Sequence, residues 1–162
     1  MNILPANIKL IVAQGTTYRA RFRPVSPSVP ASYINGVWIS TATGLPLNPS
    51  QVVPADLTGK GVRAAMRKNH NDATPAIAFN ADNGNVFIDA DPTTGLFGFD
   101  FTPETTSPLK ATDEVYLTDP EDGSVISRCT KYVYDAEIFD LVTGEVTRPV
   151  SGQVVLIAEV TR

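Results

Sequence analysis

Along much of the chain, apolar and polar residues alternate with a period of two, the spacing that places every second side chain on one face of a β-strand. Tyr18, Ala20 and Phe22 alternate with Arg19, Arg21 and Arg23, which predicts a half-buried strand whose three guanidinium groups face water or a partner. Tyr33 to Thr41 holds Val37, Trp38 and Ile39 and is rich in strand formers. Asp56-Leu57-Thr58-Gly59 reads as a turn into a strand over Val62 to Lys68, closed by turn-forming residues from Lys68 to Thr74. Ala76 to Asn80 and Val86 to Ala90 flank Asp82-Asn83-Gly84-Asn85. The Asn-Gly pair supplies the positive φ angles of a tight turn, so a hairpin is predicted here. After a reversal at Asp91 to Gly95, Phe97, Phe99 and Phe101 share one face, an apolar patch that calls for burial in a core.

The last third is the most strand-like. Tyr132, Tyr134, Ala136 and Ile138 form one row, Val142 to Glu145 turns the chain, and Val154, Leu156, Ala158 and Val160 form a row opposite. Val155 and Ile157 on the other face imply burial on both sides. One short helix is expected near residues 103–109, where Thr102 stands at the N-cap with Pro103 and Glu104 behind it and Pro108 as the stop. Thirteen prolines and eleven glycines are spread along the chain and leave no room for longer helices. Thr43 to Val53, with Gly44, Pro46 and Pro49, reads as a surface loop or extended contact arm within a long loop Val25 to Val53, and Ala111 to Ser124 as an acidic insertion with room for a brief strand at Val115-Tyr116-Leu117.

The apolar share of 43% and charged share of 19% belong to a folded globule, and no apolar run reaches the ~20 residues of a membrane span. A single domain over residues 1–162 is expected, with loop elaborations near 25–55 and 111–128. Met1 to Gly15 lacks a basic start and a cleavage site, so synthesis and maturation in the cytoplasm are expected. Cys129 is the sole cysteine, which excludes an intrachain disulfide and suits a small buried hydrophobe in a strand. A net charge of −4 without a basic face argues against a nucleic-acid partner.

Candidate chemistry changes the picture little. His70 is the only histidine and sits in a polar turn, so neither a nucleophilic triad nor a zinc site is supported. Asp89, Asp91 and Asp100 resemble a calcium loop superficially, yet Pro92 interrupts it and Asp100 stands where a bidentate glutamate belongs. Gly59-Lys60-Gly61 opens no helix that would hold a phosphate. The expectation is a non-enzymatic chain without cofactor or metal. Its candidate interface residues are Arg19, Arg21, Arg23, Tyr33, Trp38, Arg63 and Arg67, the last two alternatively serving as solvated guards of a strand edge. Tyr33, Trp38 and Tyr116 are the aromatics that a glycan would use.

Three groups of segments carry a family resemblance. Asp56-Leu57-Thr58-Gly59 with Val62-Arg63-Ala64 and Arg67, then Thr102 to Thr106, then Tyr132 to Arg162 together resemble small virion proteins of tailed bacteriophages, of the tail, baseplate or fibre-adaptor type. That resemblance, joined to the alternation, implies an all-β fold: an immunoglobulin-like antiparallel β-sandwich of about seven to nine strands with long loops and one short helix. It implies a structural protein of the virion, a tail, neck or baseplate adaptor that joins larger components or anchors fibres in a symmetric multi-copy assembly. A capsid decoration protein and a carbohydrate-binding receptor-recognition module are the alternatives.

Overall fold

The computed structural model describes Ile3 and residues 5–118 and 121–158, with the backbone alone for 114–117 and for 125 and 126. The expected contributions of Val160 and of the closing Thr161-Arg162, and the Tyr116 side chain, lie outside the described residues. The chain is all-β and sandwich-like, with one short helix.

Among the described residues fourteen strands follow one another: β1 Ala6–Asn7, β2 Leu10–Ala13, β3 Tyr18–Phe22, β4 Val25–Pro27, β5 Ala31–Ile34, β6 Val37–Ser40, β7 Val52–Pro54, β8 Lys60–Arg67, β9 Ile77–Phe79, β10 Val86–Ile88, β11 Phe97–Phe101, β12 Glu114–Thr118, β13 Val125–Asp140 and β14 Val146–Ile157. The helix α1 spans Pro103–Thr106 and is capped as expected, with the Thr102 side chain accepting from the Thr105 N–H. The large sheet runs β1 and β2, then β14, β13, β8 and β9, with β12 also paired to β13. The smaller sheet runs β10, β11, β3. The expected antiparallel order holds through the centre of both sheets. It fails at one margin, where β1 and β2 lie parallel to β14.

The core forms where the inward rows of the two sheets meet. Phe97, Phe99 and Phe101 are fully buried, and Phe99 meets Phe79 at 4.6 Å and Tyr134 at 5.8 Å between ring centroids. The predicted row Tyr132, Tyr134, Ala136 and Ile138 faces the same interior, with Val150, Val154 and Leu156 beside it. Each such side chain stabilises the fold by about 1.5–3 kcal/mol relative to exposure. Val155 is also fully buried, and so is Cys129, as expected of a structural thiol.

Two glycines permit close approaches that no other residue allows. A Cβ on Gly152 would stand 2.1 Å from the carbonyl oxygen of Ile8, so the N-terminal segment can lie this close beside β14 only because that position is bare. A Cβ on Gly98 would strike the Ala20 carbonyl and the Phe87 ring. Between Ala136 and Ile138 the partner strand carries one extra residue, and Pro149 sits in that bulge, where a missing N–H costs the ladder little.

The Asn83-Gly84 turn is not a hairpin. β9 pairs with β8 in the large sheet and β10 with β11 in the small one, so residues 80–85 arch from one layer to the other. Asn85, nearly buried, holds this arch: its Oδ1 accepts from the Asn80 N–H, its Nδ2 donates to the Ala78 carbonyl, and its own carbonyl accepts from the Asp100 N–H. The expected loop Val25 to Val53 is likewise an ordered arm. β4 and β7 form its stem, β5 and β6 a hairpin around Asn35-Gly36, and Pro46-Leu47 returns beside β6. The acidic stretch 111–128 contains β12, at the place of the expected brief strand 115–117, and the first residues of β13, paired with it.

Candidate protein-docking pole

The expected interface residues do not come together. Arg19 and Arg21 project from the outer face of the small sheet. Arg19 is bound to Asp100 by two 2.7 Å hydrogen bonds and lies over the Phe87 ring at 4.8 Å. The Asp100 carboxylate, which raises the affinity of Arg19 for its proton, is thereby committed to an ion pair. Arg23 is exposed just beyond β3, at the root of the arm.

Arg63 and Arg67 stand on the other side of the sandwich, on the outer face of the large sheet. Arg63 and Arg148 both bond Glu137, at 2.7 and 2.8 Å, and Arg67 and Arg148 reach Asp135 at 3.5 and 3.6 Å. Burial pushes the Glu137 carboxyl up, but the bonds from Arg148 and Arg63 outweigh it and hold it below the usual carboxylate range. These groups border an open depression of about 930 Å³ floored by Ala65, Ala78 and Ser151. Its charges are paired internally, so the two arginines serve the sheet itself. His70 lies at its margin, in the loop that follows β8.

Tyr33 and Trp38 are neighbours in the arm, edge to face at 5.2 Å. Tyr33 is exposed, but Trp38 is only 7% exposed and lies outside the main core cluster. The tryptophan packs inside the arm, with the exposed Tyr33 ring against it.

A different grouping emerges at one end of the sandwich. β3 ends there, β8 and β14 begin, β13 ends, and the β10–β11 turn lies alongside. The arm leaves from this pole, and its base is fixed by bonds from the Ala55 N–H to the Pro24 carbonyl and from the Leu57 N–H to the Pro92 carbonyl. The β13–β14 turn is attached to it by the Leu141 N–H, which donates to the Gly59 carbonyl at 3.0 Å.

Ten large apolar residues are exposed among the described residues. Val25, Tyr33, Ile34, Val37, Leu45, Leu141, Val142 and Val146 belong to the arm or to this turn, leaving only Ile8 and Ile11 elsewhere. Residues 24–55 contain no Asp, Glu, Lys, Arg or His. Charged residues are depleted in the same way at the centres of protein–protein contacts.

The turn is held ready. Asp140 Oδ1 accepts from the N–H groups of Val142 and Thr143 at 2.8 and 2.7 Å, and its Oδ2 takes the Lys60 ammonium at 2.5 Å. Lys60 first, and then the two amides, hold the Asp140 carboxyl far below the usual carboxylate range. The fixed turn presents Val142 at 92% exposure. Around it, Asp56, Asp89 and Asp91 accept bonds from the backbone of their own turns and form an acidic rim.

Sequence reading passed over Leu45, Leu141, Val142 and Val146. The signal available was the charge-free stretch itself, which period-two alternation does not register. No protein-family model and no curated protein matches this chain.

Proposed function

We propose that the chain is a structural protein of a bacteriophage particle, a tail, neck or baseplate adaptor that joins larger virion components, and that it docks through the arm-bearing pole. One observation carries the docking: eight of the ten exposed large apolar residues, among those described, leave the sandwich from the same end on a charge-free arm and a braced turn. A lone soluble domain gains nothing from such a surface, whereas an interface core requires it. The side chains suited to bond-making chemistry serve elsewhere: Cys129 is fully buried and Asp100 is held by Arg19. The reading is accordingly a binding module and not an enzyme. The virion setting rests on the resemblance at residues 56–67, 102–106 and 132–162.

Mass spectrometry of purified tails and of emptied heads from particles encoding the chain tests this. Recovery with tails is expected. Recovery with heads alone would make it a decoration protein, and absence from both would end the virion reading.

A further inference from the structure

β3 is the last strand of the small sheet, and one of its edges is open. In β11 the even-numbered residues turn their backbone groups towards β10, since the Asp100 N–H donates to the Asn85 carbonyl and the Leu96 carbonyl accepts from the Asp89 N–H. Phe97, Phe99 and Phe101 therefore bond β3 at Phe22, Ala20 and Tyr18, and the N–H and C=O groups of Arg19 and Arg21 point away from the sheet along the open edge. No described residue bonds those outward groups. The side chains of this edge are unevenly served. Arg19 has Asp100 directly opposite, but Arg21 stands opposite Gly98, where the Phe87 ring occupies the space a side chain would need. Arg23 lies past the last pair of the ladder, kept extended by Pro24 behind it and so in the same row. The guanidinium groups of Arg21 and Arg23 belong to exposed residues and make no ion pair among the described residues.

We infer that this edge takes an extended segment of a partner protein whose alternate residues are acidic, added to β3 as a further strand of the small sheet. Backbone bonds to Arg19 and Arg21 supply the attachment, as in strand addition generally. Selection comes from the outer row: two guanidinium groups two residues apart in extended chain, about 6.8 Å, match carboxylates at every second position. The molecule already contains one such pair across a ladder, Arg19 with Asp100 at 2.7 Å. The residues between the carboxylates turn to the side of buried Ala20 and Phe22, and apolar ones suit them. A second copy of β3 is disfavoured, because antiparallel self-pairing sets arginine opposite arginine. The charges that guard the edge against an identical or basic strand thus admit an acidic one. This edge includes neither the arm nor the β13–β14 turn, so the inference stands apart from docking by the pole.

Fluorescence anisotropy and hydrogen exchange on the full chain test this with the labelled peptide Ser-Val-Glu-Val-Glu-Val-Ser. The peptide should bind, and the amides of Arg19 and Arg21 should exchange more slowly in its presence, while those of Ala20 and Phe22, on the side already paired with β11, should change little. Replacing both glutamates of the peptide by lysine, or placing them side by side, should weaken binding by about tenfold or more. The double variant Arg21→Glu, Arg23→Glu should lose the acidic peptide by a similar factor and take up the lysine peptide, with the circular dichroism of the wild type. Absence of binding, binding that leaves the Arg19 and Arg21 amides exchanging as before, or equal binding of the lysine peptide by the wild type would each overturn the inference. Slow exchange at these amides without peptide, together with a sedimentation coefficient that rises with concentration, would make a second copy the occupant and overturn it as well. The mass spectrometry above reports on the virion setting separately.

Discussion

The hydroxyl of Tyr134 donates to the carbonyl of Ile8 at 2.9 Å across the whole length of the chain. It ties β13, at the centre of the large sheet, to the segment that runs close beside Gly152. Removing the hydroxyl in Tyr134→Phe leaves that carbonyl short of a donor, and urea unfolding should report a loss of about 1–2 kcal/mol. Burial also raises the Tyr134 ionisation well above that of a free tyrosine. The protonated form is favoured in the fold, so its contribution is intact below about pH 10 and is lost as the pH climbs towards the folded-state value.

Gly152→Ala should have a more local effect. The added methyl would collide with the Ile8 backbone, so β1 must leave the sheet. Hydrogen exchange should show faster exchange at residues 6–8, with little change at β8 and β11.

Truncation of Phe99 to alanine opens a cavity among Phe22, Phe79, Phe101 and Tyr134. A fully buried phenylalanine is worth about 3–5 kcal/mol in such a replacement, so the midpoint of thermal unfolding should fall by many degrees. Trp38→Ala should not produce this fall, because that ring packs within the arm and not in the main core.

Acid should weaken the ion pairs of Glu137 and Asp140. Glu137 is held below the usual carboxylate range by Arg148 and Arg63, and Asp140 by Lys60 and two turn amides. For a depressed carboxyl the stabilisation is present above the unfolded value, near pH 4, and disappears as the pH falls through the folded one. Stability measured by urea titration should therefore be flat from about pH 7 to 5 and decline below about pH 4. Glu137→Gln should lessen the decline.

Replacing residues 29–50 by a short turn should leave a folded sandwich. The Ser28 N–H bonds the Gln51 carbonyl at 2.8 Å, so the cut falls where the two strands already face each other. The midpoint of thermal unfolding should change little, because Trp38 and the exposed residues of the arm lie outside the main core.

The sequence disclosed what depends on near neighbours. Phe97, Phe99 and Phe101 announced a core face by alternation alone, Thr102-Pro103 announced a helix start, and the row from Tyr132 to Ile138 lies where its spacing puts it. Pairing between distant segments left weaker traces. Of the Asn83-Gly84 pair only Gly84 takes a positive φ, so the tight hairpin turn does not form, and the arch is made by Asn85 and by which strand waits on each side. Nothing in Leu10 to Ala13 states that it will run parallel to β14; that depends on the bare backbone at Gly152 far along the chain. The pole was hidden for a similar reason, since Leu45 and Val142 look like ordinary loop residues until the fold brings their loops to one end.

The arm departs from β3 in the small sheet and returns into β8 in the large one. Tension on a docked arm is therefore divided between the two layers at the moment it enters the molecule. It runs lengthwise along β3 and β8 and loads their ladders to β11 and β13 in shear, so that many hydrogen bonds share the strain and none is peeled singly. The route of the backbone spreads a pull on the arm over both layers.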